Sequence, residues 1–261
     1  MSLVYVYAIA PAACPEPTAL RGLDDARVRA IRDGDLAALV SDVPDAEFGE
    51  APLNAHLADM DWLTPRAVRH QEVNAALTAA CDPLVPLSFG TVFRDGAGVT
   101  RMLRDRATEI ASRFEGLRGK AEWILAIRRD RPAALAALES GSAPLRALRA
   151  EIDAAPPGRA YLATRRLDET KRQELRAADA AAIGAAVETF EGASNRLFRE
   201  TLVEDAGGTL LARFSVLAAR EAAPALDRMR EAFGQTWASR GYSADLSGPW
   251  PAYRFSTVDL A

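Results

Sequence analysis

The stretch Pro86-Leu87-Ser88-Phe89-Gly90-Thr91-Val92-Phe93 decides how the chain is read. It is apolar, rich in strand-forming residues and bounded by turn signals. Pro83 precedes it and Asp95-Gly96-Ala97-Gly98 follows it. An amphipathic helical pattern flanks it on each side. A short apolar run between two helices predicts a strand buried on both faces. Thr91, Val92 and Phe93 fit a pleated surface. Gly90 inside the run predicts a bulge, or close approach by another backbone.

On the N-terminal side, Leu3 to Ile9 reads as a first strand. Both of its faces are apolar, which predicts a central position. Pro11, Pro15 and Pro17 then enforce an irregular segment. Val28–Arg32 and Leu36–Val40 flank Asp33-Gly34, a favoured hairpin turn, so a β-hairpin is expected. Val43 to Pro52 is acidic and reads as irregular. A helix is expected from about Leu53 to Ala80, restarting at Thr64-Pro65, where Thr suits the cap and Pro the first helical position.

On the C-terminal side, Val99, Leu103, Ala107, Ile110, Phe114 and Leu117 mark one amphipathic helix, closed by Gly116 and Gly119. Glu122 to Arg128 alternates as a strand, with Trp123, Leu125 and Ile127 on the buried face and Glu122 and Arg128 on the other. Residues 131–158 are rich in Ala, Pro and Gly, with short helical patterns ending at Pro156-Pro157-Gly158. A long helical pattern follows from about Tyr161 to Val203. Asp168 with Arg172, and Arg196 with Glu200, are its i,i+4 pairs. Ile183, Val187, Phe190, Ser194, Leu197 and Thr201 form its seam. Gly207-Gly208 makes the next turn. Leu210 to Ala218 reads as a strand. A helix striped by Leu226, Met229, Phe233 and Trp237 follows, closed by Gly241, and then a strand from Tyr242 to Leu246.

Strands separated by helices must pack those helices on a sheet, giving an α+β fold. The break at Gly116–Gly119 predicts a domain boundary near residues 118–122. An N-terminal α+β domain would span 1–119 and a second domain 120–247, with a helical insertion over about 131–203. Residues 248–261 form a tail.

The chain has 261 residues, 49% hydrophobic and 26% charged, which suffices for a core without staples. A net charge of −4 argues against non-specific nucleic-acid binding, which needs a basic footprint. Cys14 and Cys81 are too far apart for a metal knuckle or Cys-x-x-Cys site. Their spacing admits a disulfide, but the reduced form is the expectation. No apolar run is long enough to span a bilayer and no secretion signal opens the chain, so a soluble cytoplasmic protein is expected.

Tests for chemistry fail. His56 and His70 show no metal-ligand spacing, and each reads as a surface or partly buried helix residue. There is no Gly-x-Ser-x-Gly elbow. Gly90 to Gly98 lacks the Lys-Ser/Thr pair of a phosphate loop. Carboxylates are plentiful, but no catalytic pair stands out. The expectation is a protein that is not an enzyme and binds no metal or other cofactor.

Several stretches together resemble the gas vesicle protein F/L family. They are Tyr5-Val6-Tyr7-Ala8-Ile9, Arg69-His70-Gln71 after Trp62, the stretch Pro86 to Phe93, Glu122-Trp123, and Gly248-Pro249-Trp250-Pro251-Ala252-Tyr253-Arg254-Phe255. The likeness spans nearly the whole chain. Gln71 stands where an acidic residue is common in the family, and Ser88 where a basic one is. The resemblance implies a second domain like a modified ferredoxin fold with inserted helices. It also implies a role as an accessory assembly protein or a minor structural component of the gas vesicle, located at the vesicle or in the cytoplasm. The partners would be the small, very apolar shell subunit and other gas vesicle accessory proteins, without nucleic acid or membrane. The family-motif residues expected to serve structure or interfaces are Pro86, Phe89, Gly90, Thr91, Phe93, Trp123, Gly248, Pro249, Trp250, Pro251, Tyr253 and Phe255.

A competing reading is a ferredoxin-like α+β enzyme with a pocket between its domains. An assembly protein should expose an apolar or aromatic patch. An enzyme should show convergent polar groups and perturbed titratable residues. The tail also has two readings. Its two prolines exclude an ordinary central strand. It is either an edge strand whose aromatics fill the second domain's core, or an extended segment that crosses to the first domain and packs between the two. The second is the expectation, with Tyr253 and Phe255 alternating to one side and Trp250 buried.

Overall fold

The computed structural model describes residues 2–202 and 209–258. Strand β1 (Ser2–Pro11) is buried without interruption from Val4 to Ala10, as two apolar faces require. It pairs antiparallel with β3 (Leu36–Pro44), which pairs in turn with β2 (Arg29–Asp33). Asp33 faces Leu36 across the hairpin, so the two-residue loop is Gly34-Asp35, one position later than expected. Of these two, only Gly34 takes positive φ.

The acidic segment Val43 to Pro52 is not irregular. It holds the end of β3, α1 (Asp45–Phe48) and the start of α2 (Glu50–His56). The next helix, α3 (Met60–Ala80), starts at Asp59 and not at Thr64-Pro65. The Asp59 carboxylate accepts the backbone N–H groups of Asp61 and Trp62, satisfying two donors that a helix start leaves open. Pro65 is carried inside the helix.

The deciding stretch is not one strand. Its ends form two short strands, β4 (Val85–Pro86) and β5 (Val92–Phe93), both paired with β1. Ala8 faces Pro86 and Tyr5 faces Val92, so Leu87–Thr91 bulge past Val6 and Tyr7. The bulge stays tied to β1 at both ends: Leu87 N–H donates to the Tyr7 carbonyl at 2.8 Å, and Val6 N–H to the Thr91 carbonyl at 2.9 Å. Gly90, with φ of 87°, makes the turn within it. The expected single helix after it is two, α4 (Gly96–Asp105) and α5 (Ala107–Leu117), divided at Arg106.

Strand β6 (Lys120–Arg129) buries Trp123, Leu125 and Ile127 as expected. It also buries Glu122, which the alternation had placed outside. The Glu122 carboxylate accepts the Arg254 backbone N–H at 3.0 Å, which explains how a charge is tolerated there. Three helices follow: α6 (Arg131–Gly141), α7 (Ala143–Ala154) and α8 (Pro157–Glu191). Pro157 opens α8 instead of closing the linker. The long helix ends at Glu191, and Arg196–Arg199 form β7. Arg196 and Glu200 are therefore not helical neighbours; Glu200 accepts a hydrogen bond from Ser215 Oγ at 2.7 Å. Arg172 pairs with Glu169 and not with Asp168. The turn assigned to Gly207-Gly208 lies outside the described residues.

The chain continues with β8 (Leu210–Ala219), α9 (Ala223–Trp237) and β9 (Tyr242–Trp250), then a short 3-10 turn at Tyr253–Phe255. Two sheets result, ordered β2-β3-β1-β4 with β5 also on β1, and β7-β8-β6-β9. The fold is α+β. The second sheet is threaded β-α-β-β-α-β with ferredoxin-like strand order, and α6, α7 and α8 stand where that fold has one helix.

Contacts divide the chain into two compact units, Met1–Glu122 with Pro249–Ala261, and Trp123–Gly248. Gly248, Pro249 and Trp250 end β9, the edge strand of its sheet, where a missing ladder donor is tolerated. Trp250 stays 37% exposed, contrary to the expected burial, while Phe255 is 6% exposed. Tyr253 and Phe255 share a tight turn instead of alternating along an extended chain.

Candidate functional site

The best-formed polar constellation is a buried network in the first unit. Period-two geometry puts Tyr5 and Tyr7 of β1 on one face, and both are fully buried. Helix α3 places His70 and Asn74 one turn apart opposite them. His70, expected as a surface or partly buried helix residue, lies in the helix and is buried.

Tyr5 Oη lies 2.8 Å from His70 Nδ1. On the other side of the ring, His70 Nε2 lies 3.0 Å from Asn74 Nδ2 and 3.1 Å from Tyr253 Oη. Asn74 Nδ2 donates to Tyr253 Oη at 2.7 Å. Tyr5 Oη accepts the Gly90 N–H at 3.1 Å. Tyr7 Oη lies 2.8 Å from Ser41 Oγ and accepts the Leu23 N–H at 2.8 Å. The Tyr7 and His70 rings stack at 5.8 Å, and Phe89 stands edge-on to both Tyr5 and His70.

Burial pushes the His70 pKa down to about 4, so the ring is neutral at neutral pH. Burial likewise raises Tyr5 well above its ordinary value, raises Tyr7, and raises Tyr253 to about 12. None of these groups exchanges protons near neutrality. The arrangement is suited to holding β1, α3, the 87–91 bulge and the Tyr253 turn together.

Of the motif residues, the structure brings Phe89, Gly90 and Tyr253 into this network. Pro86 is buried opposite Ala8. Thr91 locks the bulge, its hydroxyl donating to the Ser88 carbonyl at 2.8 Å. Phe93 faces Val4 across the β1–β5 pair. Pro251 and Phe255 are buried in the same unit. Trp123 and Gly248 belong to the second unit, while Pro249 and Trp250 group with the first. Sequence reasoning missed Asn74, Ser41 and Gly22. A Cβ on Gly22 would come within 2.2 Å of Tyr7 Oη, so that position excludes a side chain. Nothing local marks these residues, because each is defined by a partner far along the chain.

A second cluster lies on the same unit. Trp62 donates its indole N–H to Glu47 at 2.8 Å, and Arg66 bonds Glu47 and Asp24, both at 3.0 Å. The Arg66 guanidinium sits 4.4 Å over the Trp62 ring, and His56 stacks on that ring at 4.6 Å. A groove of about 480 Å³ has a mixed lining, apolar at Leu3, Phe48 and Phe93 and polar at Asp45, Glu50 and Arg94. Cys14 and Cys81, expected as thiols, form a disulfide; the segment after β1 returns to the end of α3, leaving their Cα atoms 5.5 Å apart. Among the described residues no group of three or more His, Cys, Asp or Glu side chains is placed to hold a metal ion, and no helix is long and apolar enough to cross a membrane.

A family model described as gas vesicle synthesis protein GvpL/GvpF matches residues 3–257. The chain belongs to the GvpL/GvpF family. Among its relatives, gas vesicle protein L of Streptomyces sp. (strain CB03234) is 41% identical over 122 residues, an aligned part that covers 46% of each chain. Gas vesicle protein F of the same strain is 27% identical over 266 residues, covering 96% of this chain and 98% of the relative. Solved structures agree in fold. GvpF from Anabaena sp. PCC7120 superposes with a TM-score of 0.77 at 17% identity, covering 99% of this chain and 100% of that one. GvpF from Microcystis aeruginosa gives 0.67 at 19% identity, covering 98% and 99%. Membership gives this protein a role connected with gas vesicles. Three stretches that carry the family likeness, around His70, Gly90 and Tyr253, thus meet at one network in this structure.

Proposed function

We propose that this protein binds the apolar shell subunit of the gas vesicle during nucleation or wall formation. The observation that carries the reading is the family match along residues 3–257. A shell subunit with a wide apolar face aggregates unless something covers that face before assembly. A partner for it needs an apolar surface and no catalytic centre. The best-formed polar network here is buried and titrates far from neutrality, which suits a structural role. Large apolar side chains are nevertheless exposed: Leu57, Met60 and Val68 in the first unit, Tyr161 and Leu162 in the second.

Binding to other gas vesicle accessory proteins belongs to the same reading, as does action in the cytoplasm and at the vesicle. The test is light scattering from purified shell subunit diluted out of denaturant. Stoichiometric amounts of this protein should delay aggregation. Unchanged aggregation across all ratios would overturn the proposal as an account of assembly.

A further inference from the structure

The chain has two cysteines, Cys14 and Cys81, and the fold brings them together. Their Cα atoms stand 5.5 Å apart, inside the range a disulfide spans without moving the backbone. Both belong to the first unit's core, in one cluster with Tyr7, Leu23, Leu77 and Leu84. With no third cysteine in the chain, the pairing has no internal competitor.

The bond joins two unlike pieces. Cys14 lies between β1 and β2, where Ala12 to Val28 hold only a 3-10 turn at Leu23–Asp25 and one bridge, Arg21 with Arg27. The backbone N–H groups of Cys14, Thr18 and Leu20 donate to Pro11, Glu16 and Pro17, all within this segment or at its root. Such local bonds do not fix a segment to the rest of a unit. The Glu16 carboxylate ties it to β2, accepting from the Ala30 N–H and from Arg32, but that contact is exposed. Further along, the Leu23 N–H donates to Tyr7 Oη, so the segment closes on the buried network. Cys81 ends the other piece. Its N–H donates to the Leu77 carbonyl and finishes α3, the helix that presents His70 and Asn74. The bond spans 67 positions of sequence, and a crosslink that long restricts the unfolded chain strongly.

We propose that Cys14–Cys81 is a redox-operated clamp that locks the segment after β1 onto the end of α3. Oxidised, it holds the two together. Reduced, residues 12–19 and the last turn of α3 open more often while the unit stays folded. Folding does not depend on the bond, because a core with Tyr5, Ile9, Leu39 and Phe48 fully buried is large enough without a staple. The reaction is thiol–disulfide exchange. Two thiols of a glutathione-type reductant supply two electrons and two protons. The protein's S–S bond breaks, two protein thiols form, and the reductant leaves as its own disulfide. The reverse exchange with oxidised glutathione restores the bond, because the rest of the core keeps β1 and α3 in place. Cys14 and Cys81 are 8% and 4% exposed, so either direction waits on local opening.

The experiment compares the full chain equilibrated with dithiothreitol or with oxidised glutathione, and a Cys14→Ala/Cys81→Ala variant under both conditions. Alkylation with iodoacetamide in denaturant, read by intact mass, counts the thiols. The oxidised sample should carry none and the reduced sample both. Reduction should lower the thermal unfolding midpoint of the first unit by about 5–10 °C. It should also raise hydrogen exchange about tenfold at residues 12–19 and 77–81 and leave the second unit unchanged. Re-oxidation should restore the starting values, and the variant should respond to neither reagent. Two free thiols after equilibration with oxidised glutathione would overturn the proposal. So would equal midpoints and exchange in the two redox forms. A first unit that unfolds on reduction would overturn it as well, since the bond would then be a staple and not a clamp.

Discussion

Tyr253 Oη lies 3.1 Å from His70 Nε2, across 183 positions of sequence. This contact, with the Asn74 bond to the same hydroxyl, ties the turn after β9 to helix α3 within the first unit. Tyr253→Phe keeps the ring and removes the hydroxyl. It leaves buried groups on His70 and Asn74 short of a partner. The expected loss of stability is about 1–2 kcal/mol, read from urea unfolding. An unchanged midpoint would show that the hydroxyl contributes nothing.

His70 makes stability depend on pH. Its folded pKa of about 4 lies below the ordinary value of 6.5. Between those values the unfolded chain binds the proton more readily than the folded one. The contribution is therefore complete above about pH 6.5 and is lost progressively as the pH falls toward 4. The full loss is on the order of 3 kcal/mol. Urea midpoints measured from pH 7.5 to 4 check this. His70→Gln should flatten that part of the profile, leaving only the slope due to carboxylates.

Two glycines with the same backbone handedness should respond differently to alanine. Gly34 (φ 55°) has nothing within 4 Å of an added Cβ. Gly241 (φ 80°) would place its Cβ 2.5 Å from the Ala134 backbone nitrogen. Gly34→Ala should cost about 1 kcal/mol, from backbone strain alone. Gly241→Ala should cost more than about 3 kcal/mol, because two backbones must move apart. Equal costs would show that the approach of Gly241 to α6 is not tight in solution.

The two large aromatics of the tail should also differ. Phe255→Ala should cost about 3–4 kcal/mol, as for a buried core ring. Trp250→Ala should cost less than about 2 kcal/mol, because over a third of the indole residue is already in water. Chemical denaturation of both variants settles the order, and a costlier Trp250 substitution would contradict this packing.

Part of this architecture follows from local pattern. The apolar faces of β1, the alternation of Trp123, Leu125 and Ile127, the stripe of α9 and the β2–β3 hairpin are short-range signals, and each produced the element it predicted. The likeness of the motifs to gas vesicle proteins was equally open to reading, and it named Phe89, Gly90 and Tyr253. It gave no reason for those three to matter together. Tertiary structure decided that, because a hydrogen-bond network is defined by groups such as Tyr5, His70 and Tyr253 that no local window contains. The same cause explains the corrections. The Pro86–Phe93 run splits because its two ends find different partners on β1. Arg196–Arg199 leave the helical pattern because β8 offers them a ladder. Glu122 turns inward because the Arg254 N–H waits there, and Cys14 meets Cys81 because β1 and α3 end side by side. Sequence periodicity fixes which faces are apolar; which partner satisfies each buried polar group is set only when the chain closes on itself.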